Sequence, residues 1–316
     1  MPAGPVCHDC KTKMVKVKRM GNQTKKTVSS GEEALMPSPQ LAVEKKKTLV
    51  GIYIVLAIFA LIVALPLIWL LFSSLKTQAD LTMNTWGPPK QWVFSNYLKA
   101  WKGSKIDKYM LNSIIVTGLT IVITVVTVTP IAFVISRFNF KGKKILYFIA
   151  IAGMMIPIHS AIIPLYMMVG RWDQYNNLGV LSLIYAAFRI PISIFILEGF
   201  MTSLPRELEE CAFIDGCSVF KLFFKIIVPL SKDGIVTISI LAVLASWNEL
   251  LVSMLLLSKP ALKTLPIGLM GFITEYNSEY TQLAAGIMMA IIPSIVFYIL
   301  AQEKIEKGMI AGAIKG

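Results

Sequence analysis

The sequence predicts an all-α membrane protein with six transmembrane helices. Its composition is 55% hydrophobic and only 16% charged, which is too apolar for an ordinary soluble domain. Six apolar stretches are long enough to cross a bilayer, which needs about 20 residues per helix. They cover about residues 49–73, 110–136, 145–169, 178–201, 235–257 and 281–302. Their β-branched runs are expected to be helical, because an isolated strand in lipid leaves its backbone unpaired.

Charged residues orient these spans. The short loop after the second stretch carries only basic charges: Arg137, Lys141, Lys143 and Lys144. Such loops lie on the cytoplasmic side of the membrane. A lysine triplet at 45–47 favours a cytoplasmic N-terminus, and six spans return the C-terminus to that side. Segment 74–109 is then external despite six lysines. Its length weakens their effect on topology, and its tryptophans suit a membrane interface.

The spans divide the chain into four parts. Residues 1–48 are polar and basic and are predicted to be a disordered cytoplasmic tail. Residues 49–109 hold the first span and the external loop, residues 110–302 form the core domain, and residues 303–316 are a cytoplasmic tail. The first apolar run begins too late and is too long for a cleaved signal peptide, so it is expected to be an anchor.

Charge and cysteines disfavour nucleic-acid and metal binding. The net charge of +13 would suit nucleic acid in a soluble protein, but no recognition motif accompanies it. Cys7 and Cys10 form one pair, whereas a zinc site needs about four ligands. They and Cys211 and Cys217 are expected to be reduced thiols. We therefore predict that the chain binds no nucleic acid, no metal and no cofactor of its own.

The loop at 203–230 has a pattern of its own. Pro205 suits a first helical turn. It is followed by three acids, a residue type favoured at the positive end of a helix: Glu207, Glu209 and Glu210. Gly216 allows a turn that other residues resist, and a second amphipathic run ends at Pro229. We predict two short cytoplasmic helices, with the small residues Cys211 and Ala212 on a face that another protein approaches closely. The alternative, a helix lying on lipid headgroups, is disfavoured by the three acids.

Polar residues inside the spans are the candidates for substrate contact, because ionisable groups are unfavourable at membrane depth unless they serve a function. Arg189, Glu249 and His159 qualify by position. Glu249 follows Trp247 and Asn248, and an aromatic face beside an amide suits a sugar; the alternative is an interhelical hydrogen-bond clamp. His159 is expected to make a packing hydrogen bond. Prolines in spans three and four are expected to bend their helices: Pro157, Pro164 and Pro191.

Several motifs occur in the order found in one family of transporters. The run Glu210-Cys211-Ala212, with Gly216 and the later Ile226-Ile227-Val228-Pro229, resembles the EAA loop of permeases of ATP-binding-cassette importers. Further matches are Leu111-Asn112-Ser113, Met155-Ile156-Pro157, Ser246-Trp247-Asn248-Glu249, Thr264-Leu265-Pro266 and the tail from Gly308 to Gly316. From Leu111 onward the chain is similar to the carbohydrate-type permeases, specifically the maltose-permease branch.

This resemblance implies a type I importer permease fold with a cytoplasmic coupling helix, in the cell membrane. It implies half of a sugar pathway, shared with a second permease subunit and served by a cytoplasmic ATPase dimer and an extracytoplasmic binding protein. Glu210 would contact the ATPase from within a coupling loop that also holds Cys211, Ala212, Asp215, Gly216, Ile226 and Pro229. Cys211 replaces the family's first alanine and is only slightly larger. Candidate pore residues are Asn112, Arg189, Asn248 and Glu249.

Other functions have less support. The chain has no Gly-x-x-x-x-Gly-Lys-Ser/Thr phosphate loop, so a partner must use the ATP. No Asp lies within a predicted span and the two histidines are far apart, so the catalytic groups of an enzyme cannot be assembled. The same architecture would serve another solute, such as glycerol phosphate. Arg189 would then be the positively charged residue that binds the phosphate. A third hypothesis is an ion-coupled carrier, supported only by Glu249 and without a visible internal repeat.

Overall fold

The computed structural model describes the backbone of residues 39–272 and 279–313, and side chains for residues 51–272, 279–299 and 302. The described residues form helices joined by loops and contain no strand, as predicted. Most of the predicted N-terminal tail, with Cys7 and Cys10, lies outside them.

The helices follow one another with short connections. In chain order they are α1 Pro39–Ser74, α2 Gln78–Met83, α3 Ser95–Leu98, α4 Ile106–Arg137, α5 Lys143–Ala152, α6 Ile158–Arg171, α7 Leu178–Thr202, α8 Glu207–Ile214, α9 Val219–Leu222, α10 Val228–Leu230, α11 Lys232–Trp247, α12 Leu251–Leu256, α13 Leu265–Met270 and α14 Tyr280–Ala313. Two turns are π-helical, at Lys99–Gly103 and Phe223–Ile227, and two are 3₁₀, at Gly153–Met155 and Pro260–Leu262.

Four of these helices are long and apolar enough to cross a membrane: α1, α4, α7 and α14. The number rises to six if each of two bent helix pairs counts as one span, which agrees with the six predicted stretches. Helix α1 begins at Pro39, before the predicted start of the first span at 49. Helix α14 continues to Ala313 and so takes in much of the segment expected to be a separate C-terminal tail.

Span three is broken in its middle. The segments Lys143–Met155 and Ile158–Arg171 meet at 95°. Ile156 is extended, with φ −83° and ψ 108°, because the ring of a following proline disfavours helical backbone. The predicted bend at Pro157 is therefore confirmed, whereas Pro164 and Pro191 are accommodated inside α6 and α7.

Span five is not the continuous helix predicted for 235–257. Helix α11 ends at Trp247 and α12 begins at Leu251, while the second bent pair of the fold joins Val219–Leu230 to α11. No proline or glycine lies between α11 and α12. The interruption has a different physical cause, a side-chain cap from Glu249, which is described below.

By its internal contacts the chain forms two compact units. The larger unit comprises Ile68–Leu204 and the chain from Phe223 onward. At its centre α7 packs against α4, α5, α11 and α14. The smaller unit comprises the chain up to Leu67 and Pro205–Leu222, and its α1 side chains from Gly51 to Leu67 are almost all exposed, as suits a helix covered by lipid or a partner.

Hydroxyl side chains line α4 where it packs on α7 and α11. Buried examples are Thr117 and Thr120. The Thr120 hydroxyl donates to the Ser182 carbonyl at 3.4 Å, and Ser246 donates to Thr117 at 3.3 Å. Helices in lipid associate through close packing and interhelical hydrogen bonds rather than through a hydrophobic driving force. These small polar residues therefore hold the core helices together.

The segment predicted to be external buries one of its lysines. Lys76 is 1% exposed, and its ammonium donates to the carbonyls of Asn84 and Thr85. The amide of Asn96 donates to the Ser74 carbonyl at 3.0 Å and the Lys76 carbonyl at 2.8 Å. Lys76 thus closes a local fold instead of presenting its charge, which explains one of the six lysines that fit the predicted topology poorly.

Candidate functional site: the 203–230 loop and the polar breaks of the core

The 203–230 loop forms two short helices joined by a glycine turn, as predicted. Helix α8 begins at Glu207, soon after Pro205, and carries three acids in its first turn: Glu207, Glu209 and Glu210. Unpaired N–H groups and the helix dipole favour negative charge there. The second helix, α9, continues through the π-helical turn Phe223–Ile227 into α10. The acids therefore stabilise the start of α8 and give it a negative end.

The turn after α8 is fixed by backbone hydrogen bonds. Gly216 has φ +72°, a conformation that residues with a Cβ resist. Its N–H donates to the Phe213 carbonyl at 3.0 Å, and the Cys217 N–H donates to the Ala212 carbonyl at 2.9 Å. This pair of bonds is the Schellman arrangement that ends many helices. It gives α8 a defined end and a defined exit direction.

The two faces of α8 differ in character. Ala212 is 5% exposed and Cys211 is half-buried, so the small pair turns away from solvent. Glu210 is exposed, as are Phe213 at 49% and Ile214 at 85%, and their spacing puts all three on one side. We call these three residues the α8 face. The sequence had suggested the small residues for close approach by a partner; the structure presents an acid and two large apolar residues instead.

Both ends of the loop are attached to the end of α4. The Arg137 guanidinium donates from both terminal nitrogens to the Leu204 carbonyl, each at 3.2 Å. At the other end, the ring of Phe223 lies 5.0 Å from that of Phe133 between centroids, and Phe133 also packs edge-on against Phe138 at 5.6 Å. The points where the chain enters and leaves the loop are therefore fixed to one core helix.

The other loop residues singled out by the sequence have positional roles. Asp215 ends α8, where its N–H donates to the Cys211 carbonyl at 3.1 Å. Ile226 is half-buried within the π-helical turn, and Pro229 is exposed in α10. Pro229 precedes the bend at Ser231, where the second bent pair joins α11.

In the core, Glu249 holds the break between α11 and α12. Its carboxylate accepts the N–H of Val252 at 2.8 Å and the N–H of Ser253 at 3.1 Å, which caps the start of α12. It also accepts the hydroxyl of Tyr185 from α7. Both carboxylate oxygens are thus engaged within the chain. This geometry supports the interhelical clamp, the alternative to direct sugar contact.

The two asparagines proposed as pore residues also bond within the chain. The buried Asn112 amide donates to the Ala261 carbonyl at 3.0 Å and to the Lys263 carbonyl at 2.9 Å, so it ties the loop before α13 to α4. Asn248 is exposed and donates to the Leu244 carbonyl at 2.8 Å. Of the two, only Asn248 presents its side chain to open space.

Arg189 differs from the other candidates. It is half-buried near the middle of α7 and makes no hydrogen bond or ion pair with any residue that the structure describes. His159 lies in the first turn of α6 and is exposed. Among the described residues, no group of three or more His, Cys, Asp or Glu side chains is arranged to hold a metal ion.

Sequence reasoning missed two polar residues that organise the core. Tyr185 supplies the hydroxyl held by Glu249. Asn176, with φ +59°, donates from its amide to Ser258 at 3.1 Å and accepts the Lys259 N–H at 2.7 Å. The Asn176-Asn177 pair before an apolar run is a recognisable helix start, and Asn177 does cap α7. Tyr185 gives no such local signal.

The fold and the loop define a multi-pass membrane transport component, and comparison with known proteins identifies the family. Residues 128–309, more than half of the chain, match the family described as binding-protein-dependent transport system inner membrane component. The chain therefore belongs to this family. Membership confirms the predicted importer permease class and the prediction that the chain is a transport subunit and not an enzyme.

Individual relatives agree with this assignment. The chain is 39% identical over 272 residues to ORF2 of Caldicellulosiruptor sp. (strain Rt8B.4), assigned as an ABC transporter permease protein, across 86% of this chain and 98% of that one. It is 30% identical over 262 residues to the diacetylchitobiose uptake system permease protein NgcG of Streptomyces coelicolor, across 82% and 87%. A solved bacterial ABC transporter involved in the import of the acidic polysaccharide alginate shares the fold, with TM-score 0.70, 23% identity and coverage of 85% and 98%.

Proposed function

We propose that this chain is a permease subunit of an ATP-driven, binding-protein-dependent importer for sugars, and that the α8 face couples it to a separate ATPase. The observation that carries the proposal is the α8 face itself, an exposed acid beside Phe213 at 49% and Ile214 at 85% exposure. Large apolar residues grouped with a charge on a short, rigidly ended helix suit a protein partner better than water.

The attachment of the loop supports transmission of force. Because Leu204 and Phe223 are both held to the end of α4, a displacement of the loop would be passed to α4. Helix α4 packs most extensively against α7, the centre of the larger unit. Nucleotide state in the ATPase would then bias the membrane core between two conformations.

A sugar substrate is supported by the names of the relatives. NgcG is a diacetylchitobiose permease, and the solved transporter of the same fold is involved in alginate import. The complete importer would comprise this chain, a second permease subunit, an ATPase dimer and an extracytoplasmic binding protein. ATP would be used by the ATPase, and this chain would need no cofactor of its own.

Two alternatives are distinguished by single residues. A phosphorylated solute such as glycerol phosphate is favoured by the unpartnered Arg189. An ion-coupled carrier would need a carboxylate free to bind an ion or proton, but the Glu249 carboxylate already accepts three hydrogen bonds. The carrier hypothesis is therefore weaker than the importer.

Co-purification tests the proposal. The tagged chain is extracted from its own host in mild detergent, and stoichiometric companions are identified by mass spectrometry. We expect a soluble phosphate-loop ATPase and a second multi-span permease. Substituting Ile214 with Asp should release the ATPase and keep the second permease, whereas the exposed residue Phe220, on α9, provides a matched control as Phe220→Asp. Recovery of the chain alone, even after crosslinking, contradicts the proposal.

We also propose that both termini and the α8 loop are cytoplasmic, on the basis of the lysine-rich 45–47 segment. The test replaces Cys211 and Cys217 with serine, so that an impermeant thiol reagent reports on Cys7 and Cys10. These should be labelled only after lysis. A cysteine placed at the exposed Lys90 should be labelled in intact cells. Labelling of Cys7 or Cys10 in intact cells contradicts the assigned orientation.

A further inference from the structure

Two helix breaks contact the same short stretch of α7. At the break of span three, a Cβ added to Gly153 would lie 2.8 Å from Cγ of Pro191, so the backbone packs directly on that proline. At the break of span five, Glu249 binds the Tyr185 hydroxyl. Each break falls near the middle of its predicted span, at Pro157 and at Asn248. Discontinuous helices near the bilayer midplane form the substrate sites of many transporters.

In sequence, Arg189 lies between these two contacts, two residues before Pro191 and therefore on nearly the opposite side of α7 from it. It is one helical turn beyond Tyr185, which places both on the same side of α7. Its neighbours on that side are buried: Tyr185, Ala186 and Ser193. Since α4, α5, α11 and α14 pack around α7, Arg189 belongs to the packed interior of the larger unit. It is nevertheless only half-buried, so part of its side chain reaches open space on the Tyr185 side of α7, where Glu249 holds the break of span five.

An unpaired guanidinium at this depth is unfavourable unless an anion approaches it. No described residue supplies one, because Arg189 has no ion pair or hydrogen bond there and the Glu249 carboxylate is engaged elsewhere. A neutral sugar needs only amide, hydroxyl and aromatic partners, which avoid the desolvation of a cation. A carboxylate, sulfonate or phosphate, in contrast, pairs with arginine through two parallel hydrogen bonds.

We propose that Arg189 is a substrate-binding residue and that the solute carried by this permease is a sugar bearing an oxyanion, which pairs with Arg189 beside the break of span five. This inference rests on the proposed importer function and narrows its substrate class. Tyr185 acts as a positioning residue, because it holds the break of span five on the same side of α7 as the guanidinium.

The test uses the whole importer, purified from its host through a tag on this chain. Failure to recover an ATPase at that step would contradict the proposed importer function, and this result is distinct from any result obtained on Arg189. Nucleotide-free importer is treated with the arginine reagent phenylglyoxal in the presence of D-glucuronate or of D-glucose, a pair that differs mainly in charge. Modification of Arg189 is followed by mass spectrometry, with exposed Arg206 as the internal control. We expect glucuronate, added at about ten times its Kd, to slow modification of Arg189 at least about tenfold, because protection follows the occupancy of the site, and glucose to leave it unchanged.

A variant separates substrate pairing from pairing with another subunit. In Arg189→Gln, the importer should assemble with the same partners and keep its thermal stability, and glucuronate should no longer stabilise it. Equal protection of Arg189 by glucose and glucuronate, or by neither, overturns the anionic substrate. Resistance of Arg189 to the reagent in every condition, or loss of the second permease from Arg189→Gln, also overturns it, because the counter-charge would then belong to a partner subunit.

Discussion

The α8 loop and the breaks of the core use glutamates in opposite ways. On α8, Glu210 is exposed and stands beside exposed apolar residues. In the core, Glu249 is surrounded by three donors, the Tyr185 hydroxyl and the N–H groups of Val252 and Ser253. The same residue type is available to a partner in one region and fixes its own chain in the other. The residue type alone does not distinguish these two roles. The number of hydrogen-bond partners that each glutamate has within the chain does distinguish them.

This difference has a thermodynamic consequence. Removing an exposed side chain usually changes the free energy of unfolding by less than about 0.5 kcal/mol, whereas leaving buried polar groups unpaired destabilises a protein by more. Substitutions on the α8 face should therefore reduce transport without affecting stability. Substitutions at the core break should reduce stability first. Each of the following variants tests one side of that contrast.

The largest functional effect is expected for Glu210→Ala. Loss of a charged contact at a partner surface should lower ATP-driven uptake at least about tenfold, while the variant accumulates in the membrane and unfolds like the wild type. ATPase activity of the purified importer should persist but no longer respond to substrate. Uptake in vesicles and ATPase rate on the same preparation measure both quantities.

Glu207→Ala is the matched control for Glu210→Ala. It removes another exposed acid from the first turn of α8, one helical turn before Glu210 on the same side of the helix, so it tests whether the effect depends on the position of the charge. Nearly normal uptake is expected. If both variants transport normally, the α8 face does not couple this chain to an ATPase; if both fail equally, the negative charge of the first turn matters and no specific contact at Glu210 is needed.

At the core break, Glu249→Ala should lower the free energy of unfolding by about 2–3 kcal/mol. It leaves the Tyr185 hydroxyl and two N–H groups of α12 unpaired, and unpaired buried donors are each worth about 1–3 kcal/mol before relaxation. Thermal unfolding in detergent measures the loss. Glu249→Gln retains an acceptor oxygen and should lose less. Wild-type stability combined with defective uptake would instead assign Glu249 to the substrate.

Local signals explain which parts of the fold could be predicted. The α8 turn follows from Gly216, whose positive φ is encoded by one residue, and the break of span three follows from Pro157. Between α11 and α12 there is neither proline nor glycine, and the clamp depends on Tyr185, which is 64 residues away in sequence. Likewise Asn112 bonds to carbonyls about 150 positions along the chain. A single sequence contains the polar residues of such contacts but not their pairing.

A smaller effect is expected for Tyr185→Phe, the other side of the same clamp. Only one interhelical hydrogen bond is removed, and such bonds in membrane proteins contribute about 0.6 kcal/mol on average and up to about 1.7 kcal/mol. Unfolding of Tyr185→Phe, Glu249→Ala and the double variant forms a thermodynamic cycle. The two losses should be strongly non-additive. Additive losses would show that the hydroxyl and the carboxylate stabilise the core independently.

The most local effect is expected for Gly216→Ala, and it should be confined to the loop. No atom lies within 4 Å of the added Cβ, so the penalty is backbone strain alone, about 1 kcal/mol for a left-handed residue. Gly118 is the matched control: its added Cβ also meets no atom within 4 Å, but it lies inside α4 with ordinary helical φ, where alanine is favoured by up to about 1 kcal/mol. Hydrogen exchange should therefore become faster at residues 207–217 in Gly216→Ala, and should be unchanged or slower in α4 in Gly118→Ala. Faster exchange of α4 and α7 in Gly216→Ala would mean that the turn supports the membrane core as well as the α8 face, and the contrast between the two regions would then be one of degree.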